Sequence, residues 1–324
     1  MKSKALVLSM FALSSVGAHA QSQTAASNYP NRPIRLVVPF TAGTASDFLA
    51  RQLSDKMASN WGQQVVVDNR PSAAGIVAGE IVTGATPDGH TLMVTSSGIA
   101  ASAAMDSKLP FDTVRDFASV SMLAIGANMY VVAPNSPIKS MKMLIDMAKK
   151  APGKLTYGHS GIGSGTHYAA ELFNMLADIK MVDVPYKGTP AVLTDTLSAR
   201  LDAGVVPIAP AISMVRSGRV IGLAVTTGKR NHALPDVPTI AEAGLPGYAY
   251  EGWFGIFAPS KLPPETMKKL NAEVARVLNL PDVRERIMNA AMTPNPTTPE
   301  EMHKILASEI QTRRKVFGAL GMLK

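Results

Sequence analysis

The sequence predicts an α/β protein made of two α/β domains that are joined by two crossing strands. Three observations lead to this fold class. Short apolar and β-branched runs alternate with helical patterns along most of the chain, which is typical of sheets covered by helices. Two similar apolar strands, at 129–134 and 254–259, each stop at a proline and enclose a second alternating set. The chain is also long enough, at 324 residues, to bury two cores.

The first alternating set predicts the first domain. Apolar and β-branched residues cluster at the expected strands, 34–40, 65–68 and 91–96, and helical patterns occupy 46–60 and 73–82. In the first of these helices Leu49, Leu53 and Met57 recur every four residues, so they share one face. Alternation of this kind implies strands with right-handed crossovers, whose covering helices bury that face against the sheet.

The second alternating set follows the strand at 129–134. Its elements are strands at 154–157, 181–186, 202–206 and 220–225, a helix after Thr166 and a helix at 190–199. If the two similar strands are the crossings, the first domain is discontinuous, 32–128 plus 255–324, and 129–254 is inserted as the second domain. A two-strand hinge follows from that layout. The alternative is that both strands belong to the core of one large domain.

The C-terminal region is expected to be helical and to serve packing. Thr-Pro-Glu-Glu at 298–301 is a capping box with proline at the first helical position. The apolar face of this helix carries Met302, Ile305, Leu306 and Ile310. The densest basic group, Arg313-Arg314-Lys315, is interpreted as one solvated face of this helix and not as a nucleic-acid patch.

The first residues predict export. Lys2 and Lys4 precede an apolar run at 5–16 and a small-x-small site, Ala18-His19-Ala20, so residues 1–20 are expected to be a cleaved signal peptide that sends the protein to the periplasm. The run is shorter than the roughly 20 residues that cross a bilayer. Residues 21–31 are polar and predict a loose leader, with order from Pro33. The chain has no cysteine, which excludes disulfides and thiolate chemistry.

Charge favours a small anion over a nucleic acid. The net charge of +8 falls to +6 without the two signal-peptide lysines, since 32 minus 2 basic residues stand against 24 acidic ones.

Three turns share one design, an apolar strand followed by small residues and then a helix start, at 41–46, 158–166 and 188–189. A helix start offers unpaired N–H groups and a positive dipole end, so several together can hold a carboxylate.

Other chemistry fits the motifs poorly. In the glycine-rich segment 161–166 the residue three after Gly163 is Thr166 instead of glycine, which argues against a dinucleotide fold, and no P-loop spacing occurs. Ser160 or Ser164 could serve as a hydrolase nucleophile, but neither lies in a Gly-x-Ser-x-Gly elbow. No histidine pair has the HExxH or another metal spacing. We therefore expect no enzyme activity, no cofactor and no metal.

Seven segments carry a family resemblance. They read, in order, PFTAGTASDFLAR (39–51), DNRPSAAG (68–75), ATPDGHTL (85–92), SGIGSGTHYAAELF (160–173), VPYKGTPAVLTD (184–195), LPDVPTIAEAGLPGY (234–248) and GWFGIFAP (252–259). The chain resembles the periplasmic solute receptors of tripartite tricarboxylate transporters, the Bug-type receptors, from about residue 30 to its end. The resemblance implies a two-lobed periplasmic-binding fold of the second type. It also implies a receptor that closes over a small organic acid and delivers it to the permease subunits of a membrane transporter. We expect the receptor to be a monomer.

The resemblance, together with the three turns, gives the expected ligand-binding residues: Phe40, Thr41, Gly43, Thr44, Ser46, Asp47, Ser97, Ser160, Gly163, Ser164, Thr166, His167, Tyr186, Gly188 and Thr189. Within this set Asp47 is expected to tie the first loop together, because its charge would repel an anion. His167 is expected either to face the cleft or to cap structure.

Departures from the family pattern concern the loops and the far end of the cleft. The first loop reads Ala42-Gly43-Thr44 where Pro-Gly-Gly is usual, and a segment that is often polar reads Pro-Ile-Ala-Pro at 207–210. A less polar far end favours an aromatic or aliphatic acid over an amino acid, and His159 could add a donor. Two rival functions stay open from the sequence: a receptor that presents its ligand to a sensor kinase, and a secreted serine hydrolase.

Overall fold

The computed structural model describes residues 28–72, 75–105, 108–319 and 321–323. The predicted signal peptide at 1–20, residues 21–27 of the predicted leader and the first two residues of the helix predicted at 73–82 lie outside this part. Across the described ranges, the protein contains no helix with the length and apolar character needed to cross a membrane. These ranges form two sheets covered by helices, so the predicted α/β fold class is confirmed.

The first sheet has six strands in the order β11-β4-β10-β3-β1-β2. They are β1 (Ile34–Val38), β2 (Val65–Asn69), β3 (Thr91–Ser96), β4 (Phe117–Gly126), β10 (Gly252–Pro259) and β11 (Met292–Pro294). The strands β1, β2 and β3 are parallel, whereas β10 runs antiparallel to both β3 and β4. Its helices are α1 (Ala45–Trp61), α2 (Ile76–Thr83), α3 (Gly98–Met105), α8 (Pro264–Leu278), α9 (Pro281–Asn289) and α10 (Pro299–Ala319).

The second sheet has five strands in the order β7-β6-β8-β5-β9. They are β5 (Asn128–Val132), β6 (Thr156–His159), β7 (Val182–Pro185), β8 (Ala203–Pro207) and β9 (Ile221–Val225). The strands β6, β7 and β8 are parallel, and β5 is antiparallel to β8 and β9. The helices that accompany it are α4 (Met141–Lys150), α5 (Gly165–Ala177), α6 (Thr189–Leu197) and α7 (Ile208–Arg216).

The chain passes between the sheets twice. It enters the second sheet between Gly126 and Asn128 and returns to the first between Val225 and Gly252. Each of the two similar strands therefore begins directly after a passage, with β5 wholly in the second sheet and β10 wholly in the first. The predicted domain boundaries, 32–128 plus 255–324 and 129–254, stay a prediction.

Side-chain alternation explains how the first sheet is buried on both faces. Ile34, Leu36 and Val38 lie on one face of β1 and pack with Leu49 and Leu53 of α1, as the helical spacing predicted. The intervening Val37 faces the other side and joins a second core. Residues of both sheets and of α10 and α5 contribute to this second core. The two lobes, each formed by one sheet and its helices, therefore share buried apolar surface.

The expectation that order begins at Pro33 is wrong. Tyr29 is buried, and its hydroxyl donates a hydrogen bond to the carbonyl oxygen of Gly89 at 2.8 Å. Its ring meets those of Trp61 and His90 edge to face. A single aromatic side chain in a polar segment is enough to anchor the chain, because it covers a large apolar area and satisfies its hydroxyl at the same time.

Some elements were missed because their local signals are mixed. The strand β4 contains two serines, yet both are buried inside the sheet. The segment 207–210, interpreted as the far end of a cleft, begins α7: Pro207 is the residue before the helix and Pro210 lies in its first turn. Proline is tolerated there because the first N–H groups of a helix have no partner inside the helix.

The interpretation of Arg313-Arg314-Lys315 as one solvated face is wrong at Arg313. Arg314 and Lys315 are exposed, but Arg313 is 0% exposed. Its position follows from helical periodicity. Leu306, Ile310 and Phe317 lie seven, three and four residues from Arg313, so all four side chains are on the same side of α10. This face of α10 packs on α3 and β4 and also reaches α5 of the second lobe.

Candidate anion-binding site

Topology brings the predicted turns of both lobes to facing edges. Because β1 and β3 are parallel, Val38 and Ser96 end at the same edge of the first sheet. In the second sheet His159, Pro185 and Pro207 end at one edge for the same reason. The passage from Gly126 to Asn128 connects these two edges. Gly126 pairs with Gly252 at the first edge, and Asn128 pairs with Pro207 at the second. Ligands of open α/β sheets bind at such carboxyl ends.

Asp47 braces the first loop, as predicted. Its carboxylate accepts hydrogen bonds from the N–H of Gly43 at 2.9 Å and from Asn69 at 3.0 Å, and it forms an ion pair with Arg51. Asn69 also donates to the carbonyl oxygen of Phe40 at 3.0 Å. Burial opposes the charged form of Asp47, but the bonds from Arg51, Gly43 and Asn69 outweigh it and hold its pKa below the ordinary value.

The start of α1 has unused hydrogen-bond donors. Thr44 precedes the helix, but its hydroxyl donates to the carbonyl oxygen of Thr41 and caps no N–H group. The N–H groups of Ala45, Ser46 and Asp47 in the first turn therefore have no partner within the described residues. The hydroxyl of Ser46 is buried and is also without a partner there. These four donors and the positive end of the helix dipole thus lie within the first turn of α1.

The second loop is held by its own hydroxyl groups. The Ser164 hydroxyl accepts from the N–H of His167 at 3.2 Å and lies 2.9 Å from the Thr166 hydroxyl. The Thr166 hydroxyl in turn accepts from the N–H of Ser160 at 3.0 Å. Gly163, whose φ is +76°, donates its N–H to Nδ1 of His167 at 3.2 Å. In the described part of the chain, the N–H groups of Gly165 and Thr166 at the start of α5 have no partner.

The third turn is joined to the second. The hydroxyl groups of Ser160 and Thr189 lie 3.1 Å apart. Gly188 precedes α6 with a φ of +146°, a conformation that side chains rarely allow. Tyr186 donates its hydroxyl to Asp195 at 2.7 Å, which fixes the ring beside β6. The turn thus presents the N–H of Thr189 next to the second loop.

Ser97 directly follows β3 of the first sheet and contacts residues that sequence reasoning missed. Its hydroxyl lies 3.1 Å from that of Tyr250, and its N–H donates to the carbonyl oxygen of Trp253 at 2.8 Å. Arg313 donates to the hydroxyl of Tyr250 at 3.0 Å. No local motif marks Tyr250 or Arg313, and the one available signal was the position of Arg313 on the apolar side of its helix.

His159 and His167 are packed inside the second lobe. Both side chains are 0% exposed, and their rings stack with centroids 4.4 Å apart and an angle of 24°. With Asp183 they offer ligand atoms that lie within 4.8 Å of one another. A metal ion must lie in the plane of each ring that binds it, and nearly parallel stacked rings have no common point nearby. In this arrangement the histidines therefore serve packing, and His167 also serves as the acceptor for Gly163.

Acidification is expected to destabilise the protein through His167. Burial first, and the neighbouring His159 second, lower the pKa of His167 to about 4, below the ordinary 6.5. The folded state therefore keeps the ring neutral, and its stability contribution, present above pH 6.5, is lost as the pH falls toward 4. From pH 7 to 4.5 this loss amounts to about 2 kcal/mol.

The measurement is the urea unfolding free energy of the wild type and of His167→Asn at both pH values. Asparagine offers an oxygen near the position of Nδ1 but does not titrate. The variant is expected to lose about 2 kcal/mol less than the wild type between the two pH values. An identical loss in both proteins contradicts the assignment to His167.

The hydroxyl groups of the two candidate nucleophiles contact threonines. Ser160 pairs with Thr189, and Ser164 pairs with Thr166. Within the described residues, no histidine ring nitrogen lies at hydrogen-bond distance from either hydroxyl. A serine nucleophile needs a positioned base to take its proton. This arrangement therefore resembles a structural network more than a hydrolytic triad.

Comparisons with known proteins confirm the resemblance over most of the chain. The family model described as "Tripartite tricarboxylate transporter family receptor" matches residues 49–322. The chain is 35% identical over 290 residues to the UPF0065 protein in the tcbD-tcbE intergenic region of a Pseudomonas species, with 89% of this chain and 86% of the relative covered.

Two similar solved structures are described with an organic acid. One is an R. palustris protein with adipate, which has a TM-score of 0.80 and 33% identity and covers 90% of this chain and 98% of its own. The other is MatC from Rhodopseudomonas palustris with bound malate, with a TM-score of 0.77, 32% identity, and coverage of 89% and 99%.

Proposed function

The chain belongs to the tripartite tricarboxylate transporter receptor family, and we propose that it binds one small organic carboxylate between its lobes and delivers it to a transporter of that type. Its fold is the two-lobed periplasmic-binding fold of the second type, as the motifs predicted. In this proposal the predicted ligand-binding residues bind the anion and catalyse no reaction. Closure of the lobes buries the anion where amide dipoles act in a lower dielectric.

One observation carries the proposal. The first turn of α1 presents the N–H groups of Ala45, Ser46 and Asp47 and the buried hydroxyl of Ser46, all without a partner within the described residues. A buried hydroxyl without a hydrogen bond destabilises a protein unless a ligand or water supplies the missing partner. A carboxylate at this point would satisfy these donors and the positive end of the helix dipole together.

The groups at the facing edge of the second lobe suit a ligand that has either a second polar end or a long apolar tail. The N–H groups of Gly165, Thr166 and Thr189 begin α5 and α6 at the facing edge. The neighbouring start of α7, from Pro207 to Pro210, carries apolar side chains. We therefore favour an aliphatic dicarboxylate over an amino acid. The acids of the two similar structures, adipate and malate, belong to the dicarboxylate class.

The proposal also covers export of the protein and its contact with the transporter. The proposal includes cleavage of residues 1–20 on export, a monomeric receptor in the periplasm, and docking to permease subunits of the transporter. Family membership supports the periplasmic location and the transporter class. The two passages of the chain between the sheets, at 126–128 and 225–252, are where a hinge between the lobes would bend.

A thermal-shift panel tests the proposal. Adipate, malate and related dicarboxylates are compared with adipamide and 1,6-hexanediamine, which keep the length of adipate but lack its charge or reverse it. An acid at about 100 times its dissociation constant is expected to stabilise the protein by about 2.7 kcal/mol, or about 5 °C. No shift with any acid, or an equal shift with adipamide, contradicts the proposal.

A further inference from the structure

A line of polar side chains runs from the C-terminal helix to the end of β3. It begins at Glu309, which accepts a hydrogen bond from Arg313 at 2.6 Å. Arg313 donates to the hydroxyl of Tyr250 at 3.0 Å, and this hydroxyl lies 3.1 Å from that of Ser97. Arg313, Tyr250 and Ser97 are all buried. The line thus connects the packing face of α10 with the strand end where the anion site is proposed.

The chemistry of the groups sets the direction of these hydrogen bonds. A guanidinium group can only donate, so the oxygen of Tyr250 is an acceptor toward Arg313. Burial raises the pKa of Tyr250, and the phenol therefore keeps its proton. Within the described residues, the Ser97 oxygen is the acceptor available to that proton, and leaving a buried donor unpaired is unfavourable. The oxygen of Ser97 therefore accepts, and its own proton is left for another partner.

The location of Tyr250 indicates where the hydroxyl proton of Ser97 points. Tyr250 precedes β10 at the passage between the sheets, and its N–H donates to the carbonyl oxygen of Thr226 in the second lobe. A Cβ atom on Gly165, the first residue of α5, would lie 2.8 Å from the Tyr250 hydroxyl. Ser97 immediately precedes α3 at the carboxyl end of β3. The end of the line therefore lies between the helix starts of the two lobes.

We propose that Arg313 and Tyr250 are positioning residues that make Ser97 a directed hydrogen-bond donor to the ligand carboxylate. This inference rests on the proposed function and adds a residue mechanism to it. Arg313 does not meet the anion itself, because its guanidinium is enclosed by Glu309 and by the rings of Tyr168 and Tyr250. Its charge instead fixes the orientation of two hydroxyl groups, so that Ser97 offers a proton to an anion and not a lone pair.

Removal of one hydroxyl tests the line with little change in shape. Tyr250→Phe and Ser97→Ala are each expected to weaken binding of the acid that gives the largest thermal shift by about tenfold. The double variant is expected to bind no more weakly than either single variant, because both changes remove the same donor. Isothermal titration calorimetry measures the dissociation constants.

Tyr248→Phe is the matched control. Tyr248 is equally buried and donates its hydroxyl to the carbonyl oxygen of Ala169 at 2.8 Å, outside the line. This variant loses one buried hydrogen bond, as Tyr250→Phe does, and is expected to keep its affinity within about twofold of the wild type. A merely structural role for Tyr250 predicts equal affinities in the two variants.

The outcomes separate the inference from the proposed function. Wild-type affinity in Tyr250→Phe, or losses that multiply in the double variant, overturns the inference and leaves the receptor function intact. A wild type that binds none of the acids overturns the receptor function and the donor role with it. Thermal unfolding of the same variants without acid reports on the Tyr250–Ser97 bond itself, because a real bond predicts that the two single midpoint shifts sum to more than the shift of the double variant.

Discussion

Replacing Gly43 or Gly163 with valine is expected to abolish acid binding, with a loss of more than about 100-fold in affinity, while the protein still folds. The φ angles are +85° at Gly43 and +76° at Gly163, in the left-handed region. A β-branched residue there is strained, so the loop must take another path. Isothermal titration calorimetry with the acid that gives the largest thermal shift measures the loss.

Both glycines hold the helix starts in place. The N–H of Gly43 donates to Asp47 in the first turn of α1, and the N–H of Gly163 donates to His167 in the first turn of α5. A changed backbone at either position breaks that bond and moves the N–H groups beside it. An anion held by several converging donors is sensitive to such movement, because a hydrogen bond weakens steeply with angle and distance.

Gly153→Val is the matched control. Gly153 has a φ of +71°, and no atom lies within 4 Å of the position of its added Cβ. Gly43 has the same free space, so the two variants share the strain of about 1–3 kcal/mol but differ in location. Gly153 lies between α4 and β6, away from the helix starts. We expect similar losses of stability and a loss of binding in the Gly43 variant alone.

Unchanged affinity in both Gly43→Val and Gly163→Val contradicts the assignment of these loops to the ligand. Equal loss of affinity in Gly153→Val assigns the effect to stability instead. A structure of the Gly43 variant with a moved loop and an unchanged sheet would connect the loss to the geometry of α1.

Arg313→Ala is expected to reduce the unfolding free energy by about 3 kcal/mol. The side chain is 0% exposed, pairs with Glu309 and lies over the ring of Tyr168, with its central carbon 4.4 Å from the ring centroid. Truncation leaves a cavity between the lobes and removes the cationic partner of the mostly buried Glu309, which keeps only the hydrogen bond from the indole N–H of Trp253 among those the structure shows within the described residues. Chemical denaturation at pH 7 measures the change.

Lys315→Ala supplies the comparison on the same helix. Lys315 is exposed on α10, and surface substitutions of this kind change stability by about 0.5 kcal/mol or less. A loss of less than about 1 kcal/mol in Arg313→Ala would contradict the buried role and restore the interpretation of one solvated basic face.

Local sequence was sufficient for the elements whose pattern is both periodic and apolar. The spacing of Leu49, Leu53 and Met57 predicted the buried face of α1, and the run 91–96 coincides with β3. The three turns of small residues also precede helices, at Ala45, Gly165 and Thr189, as predicted. These features depend on residues close in the chain, so the sequence carries them directly.

The contacts between distant parts of the chain were not predictable in this way. Tyr250 and Ser97 are 153 residues apart and meet only because β10 inserts beside β3. The basic run at 313–315 predicts exposure, because charged residues are mostly exposed, but the helical position of Arg313 places it on the buried side of α10. Tyr29 became part of the core because Gly89 leaves space for its ring.

The sequence by itself determined the α/β class, the order of most strands and helices, the three glycine-containing helix starts and the family. Only the tertiary structure decided which N–H groups of the described residues have no partner there, that His159 and His167 are buried, and that Arg313, Tyr250 and Ser97 form one line. The physical reason is range. Propensity and periodicity act over a few residues, whereas burial and hydrogen-bond partners depend on which distant segments the sheets bring together.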